Sequence, residues 1–255
     1  MSRISAADGS KHKEIFIMKK RLLFAALFSV SALVCGEEVI AHWDFSKGSI
    51  DSTNGLYKGA LKGFTELTGE KGSQVLSVGL SEKGEGILLK EKYPALTPKG
   101  AFRIEAKVIL RDPTARMQKL VIWDSNYIQT LNSDRFKGDP KANSGFALYI
   151  SRNSQEELRP YAFLGHGGCL ELVSGESFTA EEGVPFTVAF EYDGVREFAF
   201  YCNGELNRKG SAEIGGPLAP ACYPVVIGDR GVSNYCRFDG FLAEIKLIDL
   251  GSQKK

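Results

Sequence analysis

The stretch FEYDGVREFAFYCNGE, residues 190–205, decides the fold of this chain. Apolar residues occupy every second position from Phe186 to Tyr192, and again from Phe198 to Cys202. Asp193-Gly194 separates the two runs, and an Asp-Gly pair between alternating apolar runs is a strong hairpin signal. The stretch therefore predicts two antiparallel strands that bury one shared face.

The same stretch raises the possibility of an enzyme. Its apolar faces match if Asp193-Gly194-Val195 forms a three-residue connection, which sets Glu191 opposite Glu197 with β-carbons ~5 Å apart. Retaining glycosidases hold two carboxyl groups ~5–5.5 Å apart, so a catalytic pair is admissible. The turn, however, interrupts the continuous strand on which jelly-roll glucanases carry their carboxylates. We prefer the plain hairpin and keep a glycoside hydrolase as the alternative.

The rest of the chain after residue 38 also has the pattern of short strands. Residues 101–110 alternate, with Phe102, Ile104, Ala106, Val108 and Leu110 on one face and Arg103, Glu105 and Lys107 on the other. Residues 145–151, 160–166 and 169–175 form a predicted meander, whose last two strands are joined by Gly167-Gly168. Because no segment has a sustained helical period, we expect one all-β domain with two sheets.

Composition narrows the class of partner. The 255 residues carry a formal net charge of +1, whereas a dedicated nucleic-acid binder normally has a basic surplus. The 28 glycines and 16 phenylalanines suit many short strands joined by tight turns. We therefore expect no nucleic-acid partner.

Residues 1–36 are predicted to be a signal peptide, with Met18 as the true start. Met18-Lys19-Lys20-Arg21 is basic, the next 13 residues are apolar, and cleavage is expected near Gly36-Glu37. A bilayer-spanning helix needs ~20 apolar residues, so we expect export to the periplasm, cell surface or exterior and no transmembrane segment after cleavage. A lipoprotein modified at Cys35 and an N-terminal membrane anchor are the alternatives.

Four cysteines remain after that cleavage, and an exported protein can pair them. Four cysteines allow three pairings. Cys222 and Cys236 flank one turn-rich stretch, so we favour that disulfide and, with it, Cys169–Cys202. Four buried thiols are the alternative, and the lack of a C-x-x-C spacing argues against a metal site.

Several segments in order resemble one family. Three segments resemble the strand-turn-strand and closing pattern of laminin G-like domains, in the concanavalin A-like lectin/glucanase superfamily. They are, in order, FTVAFEYDGVREFAFYCNGEL, YPVVIGDR and FDGFLAEIKLIDL. Upstream, AHWDFSKGSIDSTNG resembles the opening of the bacterial branch, and the resemblance covers most of residues 39–250. Lys107 stands where the family usually has tryptophan, and Val184-Pro185-Phe186 replaces another tryptophan.

The resemblance implies a two-sheet antiparallel jelly-roll β-sandwich, concanavalin A-like, over residues 37–255. Some family members bind calcium near one rim, and oxygen ligands suit that ion. The candidates for calcium here are Asp124, Asp193 and Asp229, with the amide oxygens of Asn126 and Asn234. A turn-forming role is the alternative for each aspartate, and for Asp193 the turn is the preferred explanation.

Aromatic side chains are the other candidates for ligand contact, because sugars stack on them. Tyr127 and Tyr235 lie in polar loops and are predicted to be exposed, so we assign ligand binding to a set of loop residues: Asn126, Tyr127, Arg230, Asn234 and Tyr235. Trp123 and Tyr149 lie within strands and are predicted to be core, and Tyr161 is a further platform candidate.

These observations favour an exported, non-catalytic binding module. The expected ligand is a glycan, bound by loops at a sandwich edge or by a concave sheet face. The alternatives are the hydrolase described above and a protein–protein adhesion module that binds a cell-surface protein. Fold resemblance alone does not choose among them.

Overall fold

The structure is a computed structural model, and it describes residues 37–79, 84–112, 119–126, 143–152, 157–230 and 237–251. The predicted signal peptide, the alternative lipidation site Cys35 and the predicted site residues Tyr127, Asn234, Tyr235 and Cys236 lie outside these residues. In the described part of the chain, no helix has the length and apolar character that crossing a bilayer requires.

The described residues between 38 and 251 form a β-sandwich, which confirms the predicted all-β, two-sheet antiparallel fold. Strands are numbered in chain order. Sheet A contains, in spatial order, β13 (Glu205–Ser211), β12 (Glu197–Cys202), β11 (Phe186–Tyr192), β6 (Phe102–Leu110), β15 (Gly240–Asp249), β4 (Val75–Val78) and β3 (Glu66–Thr68). The second half of β15 also pairs with β1 (Glu38–Asp44).

Sheet B packs against sheet A and contains the predicted meander. Its spatial order is β10 (Leu170–Ser174), β9 (Leu158–Gly165), β8 (Phe146–Arg152), β7 (Lys119–Asp124), β14 (Val226–Ile227), β5 (Gly86–Leu89) and β2 (Gly59–Lys62). Two short 3-10 helices, Phe45–Lys47 and Pro94–Leu96, complete the described elements. Because β8, β9 and β10 are neighbours in sequence and in space, they make one continuous surface.

The core lies between the two sheets, and aromatic rings join its halves. Trp43 of sheet A meets Trp123 of sheet B edge to face, with ring centroids 5.7 Å apart, and both side chains are fully buried. Trp123 also stacks on Phe146 at 5.7 Å. A bulge in β7 between Val121 and Trp123 lets both Ile122 and Trp123 join this core. The prediction that Trp123 is a core residue is confirmed.

The β11–β12 hairpin forms as predicted, but its register differs by two residues. Phe190 pairs with Phe200, and Glu191 pairs with Ala199 instead of Glu197. Tyr192–Phe198 is the last pair of the ladder, so the connection runs from Asp193 to Glu197 and is two residues longer than Asp193-Gly194-Val195. Within it, the backbone N–H of Asp193 donates to the carbonyl of Glu197 at 3.0 Å. A shift of two residues keeps every side chain on the same face, which is why the apolar pattern could not detect it.

Gly194 is required at this connection for two reasons. Its φ is +79°, a region that favours glycine. A β-carbon at this position would also lie 2.7 Å from the carbonyl carbon of Gly100. The turn therefore packs directly on the loop before β6, and the tip of the hairpin is fixed to the body of the sandwich.

The predicted Cys169–Cys202 disulfide is not formed. Cys169, Cys202 and Cys222 are free thiols. Cys169 immediately precedes β10 in sheet B, whereas Cys202 ends β12 in sheet A, so the two residues belong to opposite layers of the sandwich. Burial raises the pKa of the Cys202 thiol to about 11, which disfavours the thiolate.

Candidate functional site

The outer face of sheet A carries charged residues that are paired with one another. The guanidinium of Arg103 contacts Glu105 at 2.7 Å and Glu191 at 3.0 Å. Glu191 also accepts a hydrogen bond from the Tyr201 hydroxyl at 2.9 Å. Further along the face, the carboxylate of Glu244 contacts both Lys246 and His42 at 2.7 Å. These contacts pair Arg103 and Lys246 with carboxylates of the same face.

The two carboxylates of the hydrolase hypothesis belong to this paired surface. Glu191 is neutralised by Arg103, while Glu197 accepts a hydrogen bond from the hydroxyl of Ser211 on β13 at 2.5 Å. Because of the two-residue difference in register, the two glutamates are not a directly opposed cross-strand pair. The sequence-based geometry that brought them within the spacing of a retaining glycosidase is therefore wrong.

The structure places the three predicted calcium aspartates in three different local settings. Asp193 accepts hydrogen bonds from the backbone of its own turn. Asp124 ends β7 and accepts the backbone N–H of Asn126 at 2.8 Å. Asp229 follows β14, is fully buried, and accepts the backbone N–H groups of Glu85 at 2.6 Å and Arg230 at 2.7 Å.

These three aspartates do not form one metal centre. Among the described residues, no group of three or more His, Cys, Asp or Glu side chains could hold a metal ion. Burial raises the pKa of Asp229, although the two backbone N–H groups act to lower it. Calcium binding stays a prediction.

Of the predicted ligand-binding residues, Asn126 and Arg230 fall within the described chain. Asn126 is 1% exposed, and neither atom of its side-chain amide has a hydrogen-bond partner in the described structure. A buried, unsatisfied amide is costly and calls for an explanation, such as a water or ligand group that completes it. Arg230, predicted to bind ligand, and Asp124, predicted to bind calcium, line the same pocket.

That pocket lies at one end of an apolar surface on the outer face of sheet B. We call this surface the aromatic face; its members are Val121, Ala147, Tyr149, Tyr161, Phe163 and Leu170. The planes of Tyr149 and Tyr161 stack within 8° at 5.2 Å between centroids, and Tyr149 stacks on Phe163 at the same distance. Tyr149 and Phe163 are almost fully buried, whereas Tyr161 is partly exposed and Leu172, which pairs with Phe163 from β10, is 40% exposed.

Strand register arranges the aromatic face in rows that cross the strands. Val121 of β7 pairs with Tyr149 of β8, which pairs with Tyr161 of β9. The neighbouring row on one side, two residues along each strand, is Lys119, Ser151 and Arg159. Residues two apart on a strand share a face, so these polar residues border the aromatic row on the same surface.

The pocket itself joins apolar and charged side chains. Its lining includes Lys119, Val121, Asp124, Ala147, Tyr149, Phe163 and Arg230. It has room for about a single water molecule, so a sugar ring would lie on the surface and could send one polar group into the pocket. The ammonium of Lys119 lies 5.7 Å from the centre of the Tyr149 ring, within range of a cation–π contact.

Sequence reasoning assigned Tyr149 to the core and did not select Phe163. Tyr149 is buried, but it belongs to the aromatic face and not to the main core between the sheets. In GFALYIS and PYAFLGH, odd- and even-numbered residues are both largely apolar, so the pattern does not identify which side of the strand faces outward. The one available signal was the aromatic pair Tyr161 and Phe163 at alternate positions of one strand, with Tyr149 on the strand before it in the meander.

No family model and no curated protein matches this chain. Solved structures do match it in fold. The binding domain of botulinum neurotoxin DC, in complex with rat synaptotagmin II, aligns with a TM-score of 0.59 at 11% identity, over 84% of this chain and 49% of that one. A botulinum neurotoxin type C structure, described as depending on two ganglioside molecules for cell entry, gives a TM-score of 0.59 at 12% identity, over 84% and 49% of the two chains.

A shorter neighbour is matched over most of its length. Domain 4 of AbnA, a GH43 extracellular arabinanase from Geobacillus stearothermophilus, in complex with arabinotriose, aligns with a TM-score of 0.50 at 14% identity, over 84% of this chain and 93% of that one. The chain thus spans about half the length of the neurotoxin chains and nearly all of the arabinanase domain. At these identities the likeness shows a common β-sandwich fold.

Proposed function

We propose that this protein is a glycan-binding module and that its ligand lies across the aromatic face of sheet B, centred on Tyr161. The observation that carries the proposal is the stacked row of Tyr149 and Tyr161, with Phe163 beside it, on the outer surface of a sheet. Sugar rings have C–H-rich faces, which pack on aromatic rings through dispersion and the burial of apolar surface.

The surroundings of the aromatic row suit a polar ligand of this kind. Tyr161 offers a partly exposed ring, and the buried ring of Tyr149 stacks against it from the neighbouring strand. Asp124 and Arg230 line the pocket beside this row and carry groups that hydrogen-bond to hydroxyls, and the backbone N–H of Asn126 donates to Asp124. A few polar groups bordering an apolar surface are the usual composition of a small-molecule site.

The fold neighbours support the proposal by analogy. A domain of the same fold was solved with arabinotriose, and the type C neurotoxin is described as interacting with gangliosides. Another neighbour was solved with a protein, rat synaptotagmin II, which is why a protein partner is kept as an outcome of the test. We include in this proposal the resemblance of the sequence to laminin G-like domains, which also supports it by analogy.

The first prediction tests the aromatic row by substitution. Tyr161→Ala removes the exposed ring, and we expect glycan affinity to fall about tenfold, because a stacked ring is worth roughly 0.5–1.5 kcal/mol beyond the apolar area that it buries. Tyr161→Phe keeps the ring and should bind like the wild type. Binding is measured on a panel of plant, bacterial and animal polysaccharides, by affinity electrophoresis and then by calorimetry.

Tyr201→Ala is the matched control, since Tyr201 is a partly exposed tyrosine on the outer face of sheet A. It should leave glycan binding unchanged. A chelator is added in a parallel series to test the predicted calcium. Failure to bind any polysaccharide, or equal losses from Tyr161→Ala and Tyr201→Ala, would exclude the aromatic face as a glycan site and favour the protein-partner alternative.

A further inference from the structure

The charges on the two outer faces of the sandwich are arranged differently. On sheet A, Arg103 and Lys246 are ion-paired with neighbouring carboxylates. On sheet B, the row beside the aromatic row is Lys119, Ser151 and Arg159, two cations on either side of a hydroxyl. No ion pair joins Lys119 or Arg159 to a carboxylate within the described ranges of the chain.

The contacts that Lys119 and Arg159 do make leave them available. Lys119 is exposed, and its ammonium lies against the Tyr149 ring. Arg159 is partly exposed, and one of its guanidinium nitrogens donates to the hydroxyl of Ser177 at 3.2 Å. Neither contact neutralises a positive charge. Both cations therefore keep charge that a ligand on this face could balance.

The register fixes the distances between these groups. Lys119 and Arg159 lie two strands apart, which places their backbones ~10 Å from each other across the sheet. The cationic row lies ~7 Å along the strands from the row that contains Tyr149 and Tyr161. A saccharide lying on Tyr161 would thus have its edge beside both cations. A neutral saccharide could offer these cations only hydroxyl and ether oxygens as acceptors, whereas carboxylate or sulfate oxygens would make shorter, charge-assisted hydrogen bonds that are roughly twice as strong.

We infer that the ligand of this face is an anionic glycan, a saccharide that carries carboxylate or sulfate groups. The inference rests on the proposed glycan function and adds the charge class of the ligand. Lys119 and Arg159 bind the anionic group, Ser151 between them can donate its hydroxyl, and Tyr161 stacks on the sugar ring. The pocket contributes the third cation of the region, Arg230, which shares its lining with the carboxylate of Asp124.

Two matched pairs of polysaccharides test the charge class with the full chain. Polygalacturonate is compared with its fully methyl-esterified form, and dextran sulfate with dextran. Each pair keeps its backbone and differs in charge, and comparison between the pairs distinguishes carboxylate from sulfate. We expect at least one anionic member to bind at least tenfold more tightly than its neutral counterpart, and its affinity to fall as salt is raised.

Two variants test the residues. Lys119→Gln and Arg159→Gln should each weaken binding of the anionic polysaccharide about five- to tenfold, as expected for the loss of one charge-assisted contact at a partly exposed site. Lys107→Gln is the matched control, because Lys107 is an exposed lysine on the outer face of sheet A. Unfolding midpoints of all three variants in urea confirm that the fold is intact.

The outcomes separate this inference from the proposed function. Equal binding of a charged polysaccharide and its neutral partner, with Tyr161→Ala still weakening both, overturns the anionic class and leaves the glycan function standing. Equal losses from Lys107→Gln and Lys119→Gln overturn the assignment to sheet B. Binding of no polysaccharide, charged or neutral, overturns both proposals together.

Discussion

The carboxylate of Asp193 accepts hydrogen bonds from three consecutive backbone N–H groups, those of Val195, Arg196 and Glu197, at 2.8, 2.6 and 2.9 Å. One side-chain oxygen therefore satisfies the donors of the whole connection between β11 and β12. This explains an aspartate that the sequence offered both to a turn and to calcium. The hydrogen bonds that the Asp193 carboxylate accepts from the backbone all belong to this turn.

Removal of that oxygen should destabilise the protein. For Asp193→Ala we expect the free energy of unfolding to fall by about 1–2 kcal/mol, because the turn loses its acceptor while the backbone donors stay in place. Asp193→Asn keeps an acceptor oxygen and should lose much less. Urea unfolding followed by circular dichroism measures both. Similar losses in the two variants would contradict the role of Asp193 as the acceptor of the turn and would show that the protein requires its negative charge.

At the residue scale, prediction succeeded where local chemistry acts alone. Asp193 was assigned to its turn, and Trp123 to the core, from patterns that extend over only a few residues. Tyr161 was named as a stacking candidate, but the aromatic face around it was not recognised, because Tyr149 and Phe163 lie on strands that are apolar on both sides. The packing of the opposite sheet decides which of the two apolar faces of a strand points outward. The sequence of a single strand does not specify that packing.

The strands show a similar division between local and long-range information. Those with apolar alternation, such as β6 and β11, were found from sequence with nearly correct bounds. β13 was missed, because ELNRKGS is polar at almost every position and pairs as an edge strand through its backbone. The hairpin register was wrong by two residues for a related reason: the apolar period of two is blind to such a shift, and the longer turn decides it.

A charged cluster on the outer face of sheet A joins side chains of β1 and β15. Glu244 of β15 contacts His42 of β1 and Lys246 of its own strand, each at 2.7 Å. Burial acts to raise the pKa of Glu244, but the hydrogen bonds and charges of Lys246 and His42 lower it by more, so its pKa lies below the ordinary value of 4.5. A carboxyl group with a lowered pKa in the folded state stabilises that state while it is ionised.

This cluster gives the stability a defined pH dependence. The contribution of Glu244 is complete above its unfolded pKa and is lost as the pH falls through the lower folded value. We expect Glu244→Gln to reduce the free energy of unfolding by about 0.5 kcal/mol at neutral pH, the range for partly exposed ion pairs, and by progressively less from about pH 5 to about pH 2. Urea unfolding of both proteins across this range measures the difference.

Glu38→Gln serves as the control for that series, because Glu38 is an exposed carboxylate on β1. It should show a smaller difference at neutral pH. A deficit of Glu244→Gln that stays constant down to about pH 2 would mean that the glutamine disturbs the strand for steric reasons and that the charge contributes nothing.

At the scale of the whole molecule, the two sheets meet through the only two tryptophans of the 255-residue chain. Trp43 and Trp123 lie in opposite layers, both fully buried, with their rings edge to face. Tryptophan fluorescence therefore reports the contact between the sheets, while far-ultraviolet circular dichroism reports the strands themselves. The sandwich buries one continuous core, so neither sheet has a hydrophobic partner of its own if the other is lost.

The two signals should consequently change together. We expect one urea transition, with fluorescence and circular-dichroism midpoints that agree within about 0.2 M, as a cooperative two-state unit requires. Trp43→Phe leaves Trp123 as the single reporter, on the opposite sheet; its transition should move to lower urea and still coincide in both signals. If fluorescence changed at lower urea than the dichroism, the sheets would separate before their strands melt, and the aromatic face of sheet B could no longer be treated as a surface that the whole sandwich holds in place.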